Sequence, residues 1–108
     1  MIEIRQYIDL LGRCPFDRWF EKLNDDAKAR ITVSLDRLER GNFSAAKPVG
    51  AGVSELRLDF GPGYRVYFGK DGERLVILLV GGTKKRQQAD IETAKTIWQE
   101  YKQRRREE

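Results

Sequence analysis

"VSELRLDFGPGYRVYFGKDGERLVILLVGG", residues 53–82, holds three strand-like runs separated by two glycine-bearing breaks. The breaks, "GPG" at 61–63 and "GKDG" at 69–72, supply the permissive backbone that tight reversals need. In the first run Leu56, Leu58 and Phe60 alternate with Glu55, Arg57 and Asp59. In the second, Tyr64, Val66 and Phe68 alternate with Arg65 and Tyr67. The third, "RLVILLV", is apolar on both faces, which marks a central strand that ends at Gly81 and Gly82. An antiparallel meander is the economical arrangement.

Upstream, "MIEIRQYI" alternates as a first strand. Pro15 suits the first turn of a helix carrying Phe16, Trp19, Phe20 and Leu23 at helical spacing. Asn24 caps a second helix, with Asp25 and Asp26 in its first turn and an apolar stripe through Ala27, Ile31, Leu35 and Leu38 that stops at Gly41. The segment "GNFSAAKPVGAG", rich in small residues and glycine and carrying Pro48, reads as an exposed connection. Downstream, Ile91, Ala94, Trp98 and Tyr101 define a last helix, with "KQRRREE" as its fraying, solvated end. The order is β-α-α-β-β-β-α, an α+β domain over residues 1–108.

The 108 residues suffice for one core without staples, and 40% hydrophobic against 35% charged residues describes a folded chain with a heavily charged surface. No apolar run approaches the roughly 20 residues of a membrane span. The opening residues lack the layout of a secretory signal, so a cytoplasmic location is expected. The single Cys14 reads as a small residue at a helix start. With no histidine there is no ordinary zinc site, no usual proton shuttle and nothing to activate that thiol. No metal or cofactor is expected. The net charge of +4 lies wholly in the second half: residues 1–60 hold ten Lys/Arg and ten Asp/Glu, residues 61–108 eleven and seven.

Lys84, Lys85 and Arg86 stand where the last helix begins, although cations there oppose the helix dipole at about 0.3–1 kcal/mol each. With the apolar sets of the meander turned to the core, its other face would be an open surface of Glu55, Arg57, Asp59, Arg65 and Tyr67, rimmed by these cations. An exposed Arg65 would add little to stability. Such a face suits a phosphate backbone. The same residues also read as a solvated sheet face tied by cross-strand ion pairs, with 84–86 as a solvent-facing turn.

"ELRLDFGPGYRVYF" followed by "LVILLVGGTKKRQQADIETAKTIW" resembles the RelE/HigB-like toxins of bacterial type II toxin–antitoxin modules, in the addiction-module killer group. The resemblance implies a RelE-like fold, a small antiparallel sheet with two N-terminal helices and a C-terminal helix. It implies a ribosome-dependent mRNA endoribonuclease that inhibits translation, needs no metal, and uses the RNA's 2′-hydroxyl as nucleophile. It implies as partners a cognate antitoxin, the ribosome and mRNA, with operator DNA reached through the antitoxin. By position, Arg65 in "GYR" matches the phosphate-contacting arginine, Arg57 a basic site on the preceding strand, and Lys84 or Lys85 the cation after the glycines. Tyr67 and Arg86 join them as RNA contacts. The histidine or C-terminal tyrosine of several relatives is missing, so Asp90, Glu55, Tyr67 or a lysine is left for proton transfer. A different function, inhibition of DNA gyrase by a non-enzymatic toxin, is implied by the resemblance to the ParE group.

Overall fold

The computed structural model describes residues 1–107. The elements are β1 (Glu3–Gln6), α1 (Pro15–Glu21), α2 (Asp25–Glu39), β2 (Ala46–Gly50), β3 (Val53–Leu58), β4 (Tyr64–Lys70), β5 (Leu75–Thr83), a 3₁₀ turn (Lys84–Arg86) and α3 (Gln87–Glu107). Five strands form one mixed sheet in the order β1-β5-β4-β3-β2. The predicted meander is β3-β4-β5, antiparallel throughout. β1 adds to it in parallel, pairing Ile4 with Val76, so the sheet is not wholly antiparallel as expected.

The local signals for the first two helices act as anticipated. Pro15 takes the first position of α1, and the Asn24 side chain accepts the Ala27 N–H at 2.9 Å. The expected exposed connection at 41–52 instead contains β2, which makes a hairpin with β3 through Gly50, Ala51 and Gly52. Its composition misleads because β2 is an edge strand, where Pro48 can leave one N–H side of the ladder unused. Nor does the chain fray at "KQRRRE". α3 runs to Glu107, held by Arg104 Nη1 on the Ile8 carbonyl (2.8 Å) and Arg105 Nε on Asp71 (2.7 Å).

The sheet is buried on both sides. On one, α1 and α2 cover Leu56, Leu58, Val66, Phe68, Val76 and Leu78 with Phe16, Ile31 and Leu38. On the other, α3 lays Ala94, Ile97 and Trp98 against Val53, Tyr67, Ile77 and Leu79. This explains why β5 is apolar on both faces. β5 also does not break at its glycines but runs through them to Thr83. A methyl group on Gly81 would overlap the Trp19 ring, and one on Gly82 the Asp90 carboxyl. Both residues are bare because a helix approaches each side of the strand. Among the described residues no helix is long and apolar enough to cross a membrane.

Candidate functional site

The β3–β4 register sets Arg57 opposite Arg65 and Glu55 opposite Tyr67, all on the face that α3 covers. Like charges directly across a ladder repel, and Glu55 offsets this. Its Oε1 lies 3.3 Å from Arg57 Nε and 3.7 Å from Arg65 Nε, while Oε2 accepts hydrogen bonds from Gln87 Nε2 (2.7 Å) and Tyr67 OH (3.3 Å). Glu55 and Arg65 are only 1% and 2% exposed. A buried charge is tolerated only when paired, and here one carboxylate serves two guanidiniums.

Arg65 is further held by Nη1, which donates to the Tyr64 carbonyl at 3.0 Å and lies 3.7 Å from Asp59 Oδ1. Among the described residues its buried Nε finds no hydrogen-bond partner. Burial, followed by the nearby Glu55 carboxylate, pushes the Tyr67 hydroxyl well above the usual phenol range, so it remains a proton donor. Asp90, in the first turn of α3, rests over Gly82, the β5 partner of Arg65. Its buried Oδ2 has no hydrogen-bond partner among the described residues, and burial raises its pKa against the opposing pull of Arg86.

The expected open face therefore does not exist. α3 roofs it, and Glu55, Arg65 and Tyr67 lie beneath the helix. The reason is the apolar stripe of α3, which needs a surface to bury and finds the second face of the sheet. Arg57, with its side chain 43% exposed, Asp59 and the cations at 84–86 remain accessible. The Lys84 N–H donates to the Gly63 carbonyl at 2.7 Å, bringing the end of β5 to the β3–β4 turn. A Cβ at Gly63 would touch both the Lys84 side chain and Arg65 Nη1. Arg57 and Arg65 thus meet at Glu55, and Lys84 adjoins Arg65 at Gly63. Lys84, Lys85 and Arg86 form a 3₁₀ turn with three residues per turn, so their side chains diverge and do not share one direction.

Gln87 is the member of the network that sequence reasoning missed. A glutamine opening a helix carries no signal of its own, and only the turn at 84–86 swings it over Glu55. Among the described residues no group of three or more Cys, Asp or Glu could hold a metal ion.

The family of phage derived proteins described as Gp49-like (DUF891) matches residues 18–102, and the chain belongs to it. Among curated relatives, an uncharacterized protein of Haemophilus influenzae is 50% identical over 86 residues, covering 79% of this chain and 87% of that protein. A protein of Mycobacterium tuberculosis bearing the name "Putative toxin HigB3" is 38% identical over 76 residues, covering 63% of this chain and 66% of its own length.

Proposed function

We propose that this protein is the toxin of a type II toxin–antitoxin pair, with RelE/HigB-like kinship, and that it cuts translated mRNA on the ribosome in the cytoplasm. The observation that carries the reading is the sharing of one buried carboxylate, Glu55, by Arg57 and Arg65 from β3 and β4, with the backbone of Lys84 drawn to the adjoining β3–β4 turn. The likeness to a relative named as a toxin gives it the class.

In this reading the RNA 2′-oxygen attacks the adjacent phosphorus and loses its proton, and the bond from phosphorus to the 5′-oxygen breaks. The products are a 2′,3′-cyclic phosphate and a 5′-hydroxyl, the latter formed by taking up a proton. Arg57 and Lys84 or Lys85 reach the phosphate and neutralise the phosphorane, the contribution that preorganised charge makes best. Arg65 acts from below through Glu55 and Asp59 and adds positive potential at the same spot. Asp90, a carboxyl whose affinity for its proton is raised by burial, is the group we assign to proton transfer.

The test is to induce the protein and map the 5′ ends of cellular mRNA. Codon-spaced breaks confined to translated messages are expected. The burial of Arg65 keeps it from direct contact with RNA and leaves one second reading open, a non-enzymatic toxin that binds gyrase. Intact mRNA with stalled chromosome replication would establish that reading and remove the first.

A further inference from the structure

β1 is an outer strand of the sheet. Every second residue of it bonds to β5: the Glu3 and Tyr7 N–H groups donate to the carbonyls of Arg74 (2.7 Å) and Leu78 (2.9 Å), so Ile4 and Gln6 turn their backbone groups outward. The Ile2 N–H, of the same outward set, donates to the Glu39 carbonyl at 2.8 Å, whereas those of Ile4 and Gln6 have no partner among the described residues. Beside this edge an open groove of about 310 Å³ lies between α1 and α2. Ile4, Phe20 and Leu35 give it a half-buried apolar floor, and Ile4 packs on the α1 and α2 side of the sheet, so groove and open edge adjoin on one face. Asp17 and Glu21 rim the groove from α1, Asp36 and Glu39 from α2, and no Lys or Arg lines it. Of these four, only Glu21 has a cation within ion-pair distance among the described residues, Lys28 at 3.9 Å. On a chain of net charge +4 this is a local reversal of sign. The chain then leaves β1 through Ile8, Leu10 and Leu11, which are 54%, 84% and 75% exposed.

We propose that a partner protein docks here through an extended segment with lysine or arginine at every second position, added to the sheet as a strand beside β1. The outward N–H and carbonyl groups of Ile4 and Gln6 supply the ladder, the usual source of affinity when a strand joins an open edge. Alternate side chains of an added strand fall on one face. On the face of α1 and α2 a long cationic side chain fits twice over: its aliphatic stem covers Ile4, Phe20 and Leu35, and its charged head meets the carboxylate rim. A phosphate backbone is repelled by the same rim, which makes the occupant a protein. β1 lies three strands from β3, so a partner seated here leaves Arg57 uncovered. The inference goes beyond the nuclease reading and does not depend on it.

The test uses the full chain and, as probe, a fluorescent octapeptide of alternating lysine and valine. Two further peptides carry N-methyl groups on one or the other alternate set of amides, which blocks hydrogen bonding along one edge of the strand and leaves the charge unchanged. One methylated peptide should lose binding about tenfold or more and the other should keep it, because only one edge of an added strand faces β1. Equal affinity of the two would overturn the proposal, since the peptide would then be held by charge alone. Asp17→Lys and Asp36→Lys change exposed side chains and should each weaken binding about fivefold at low salt, while Glu73→Lys, at the exposed β4–β5 turn, should not. The same loss in all three would reduce the effect to net charge and likewise overturn it. Gln6→Pro removes one outward N–H and is compatible with an edge strand; it should weaken binding about tenfold with little change in the urea midpoint. A wild-type protein that is a dimer by light scattering, and becomes a monomer in Gln6→Pro, would give the edge to a second copy of this chain and remove the partner.

Discussion

Arg57 and Arg65 stand directly across the β3–β4 ladder from one another, and the carboxylate of Glu55 lies within 3.7 Å of both. One guanidinium is accessible and the other is sealed under α3. The pair therefore divides its labour: Arg57 can meet a ligand, whereas Arg65 is bound to the integrity of the site.

Arg65→Ala should consequently unfold the protein more easily, contrary to what an exposed arginine implies. Removing one partner of a buried ion pair costs up to about 3–5 kcal/mol when the other is left alone; here Arg57 still pairs with Glu55, so a smaller part of that loss is expected. Urea denaturation should show that loss, and Glu55→Leu combined with Arg65→Met should recover part of it. A midpoint for Arg65→Ala equal to the wild type would contradict the buried pairing.

Lys85→Glu should move stability and activity in opposite directions. An acidic side chain just before α3 suits the helix dipole where a lysine opposes it, a gain of about 0.3–1 kcal/mol. Growth arrest on induction should disappear because the phosphate loses a cation. A more stable variant that still arrests growth would detach the 84–86 turn from function.

Gly81→Ala should lower the melting temperature, since the added methyl enters the space of the Trp19 ring, which packs against Phe16 and Tyr64. Overpacking of this kind costs about 1–3 kcal/mol. Trp19→Phe in the same background should restore part of the loss, and a restoring second change would confirm that ring and strand compete for one volume.

Alkaline solution should loosen the last turns of α3. Burial, followed by its hydrogen bond to Asp71, pushes the Tyr101 hydroxyl up to about 12 from an ordinary 10.0. A group whose folded pKa is raised contributes stability that is full below the unfolded value and is lost as pH climbs through the folded one. Urea midpoints should fall between pH 10 and about 12, less so in Tyr101→Phe. Tyr7 and Tyr67, also raised, act in the same sense. Asp71 is held below 3.8 first by Arg105 and then by Tyr101, so its share is present above that value and is lost as pH drops through its lowered folded pKa. A pH-independent midpoint across the alkaline range would mean that α3 is not anchored through this contact.

The helices and the meander were legible because periodicity and turn chemistry are local. Asn24, Pro15 and the glycine breaks state their roles within a few residues. β2 was hidden because Pro48 and its glycines resemble a loop, and only pairing with β3 makes an edge strand of them. The parallel docking of β1 was hidden for a related reason: a strand's own pattern tells which side chains share a face but not which neighbour it joins. Glycines 81 and 82 looked like a strand end, yet they mark close approaches by Trp19 and Asp90 that no local rule contains.

Alternation by itself determined that Glu55, Arg57, Arg65 and Tyr67 share one side of the sheet, since a period of two leaves no choice once the strands are placed. The tertiary structure alone decided that α3 closes over that side, seals in Arg65 and Tyr67, brings Gln87 to Glu55 and leaves Arg57 with the 84–86 turn at the surface. The physical reason is that an amphipathic helix must bury its apolar stripe somewhere, and where it does so depends on which surface the rest of the fold leaves uncovered.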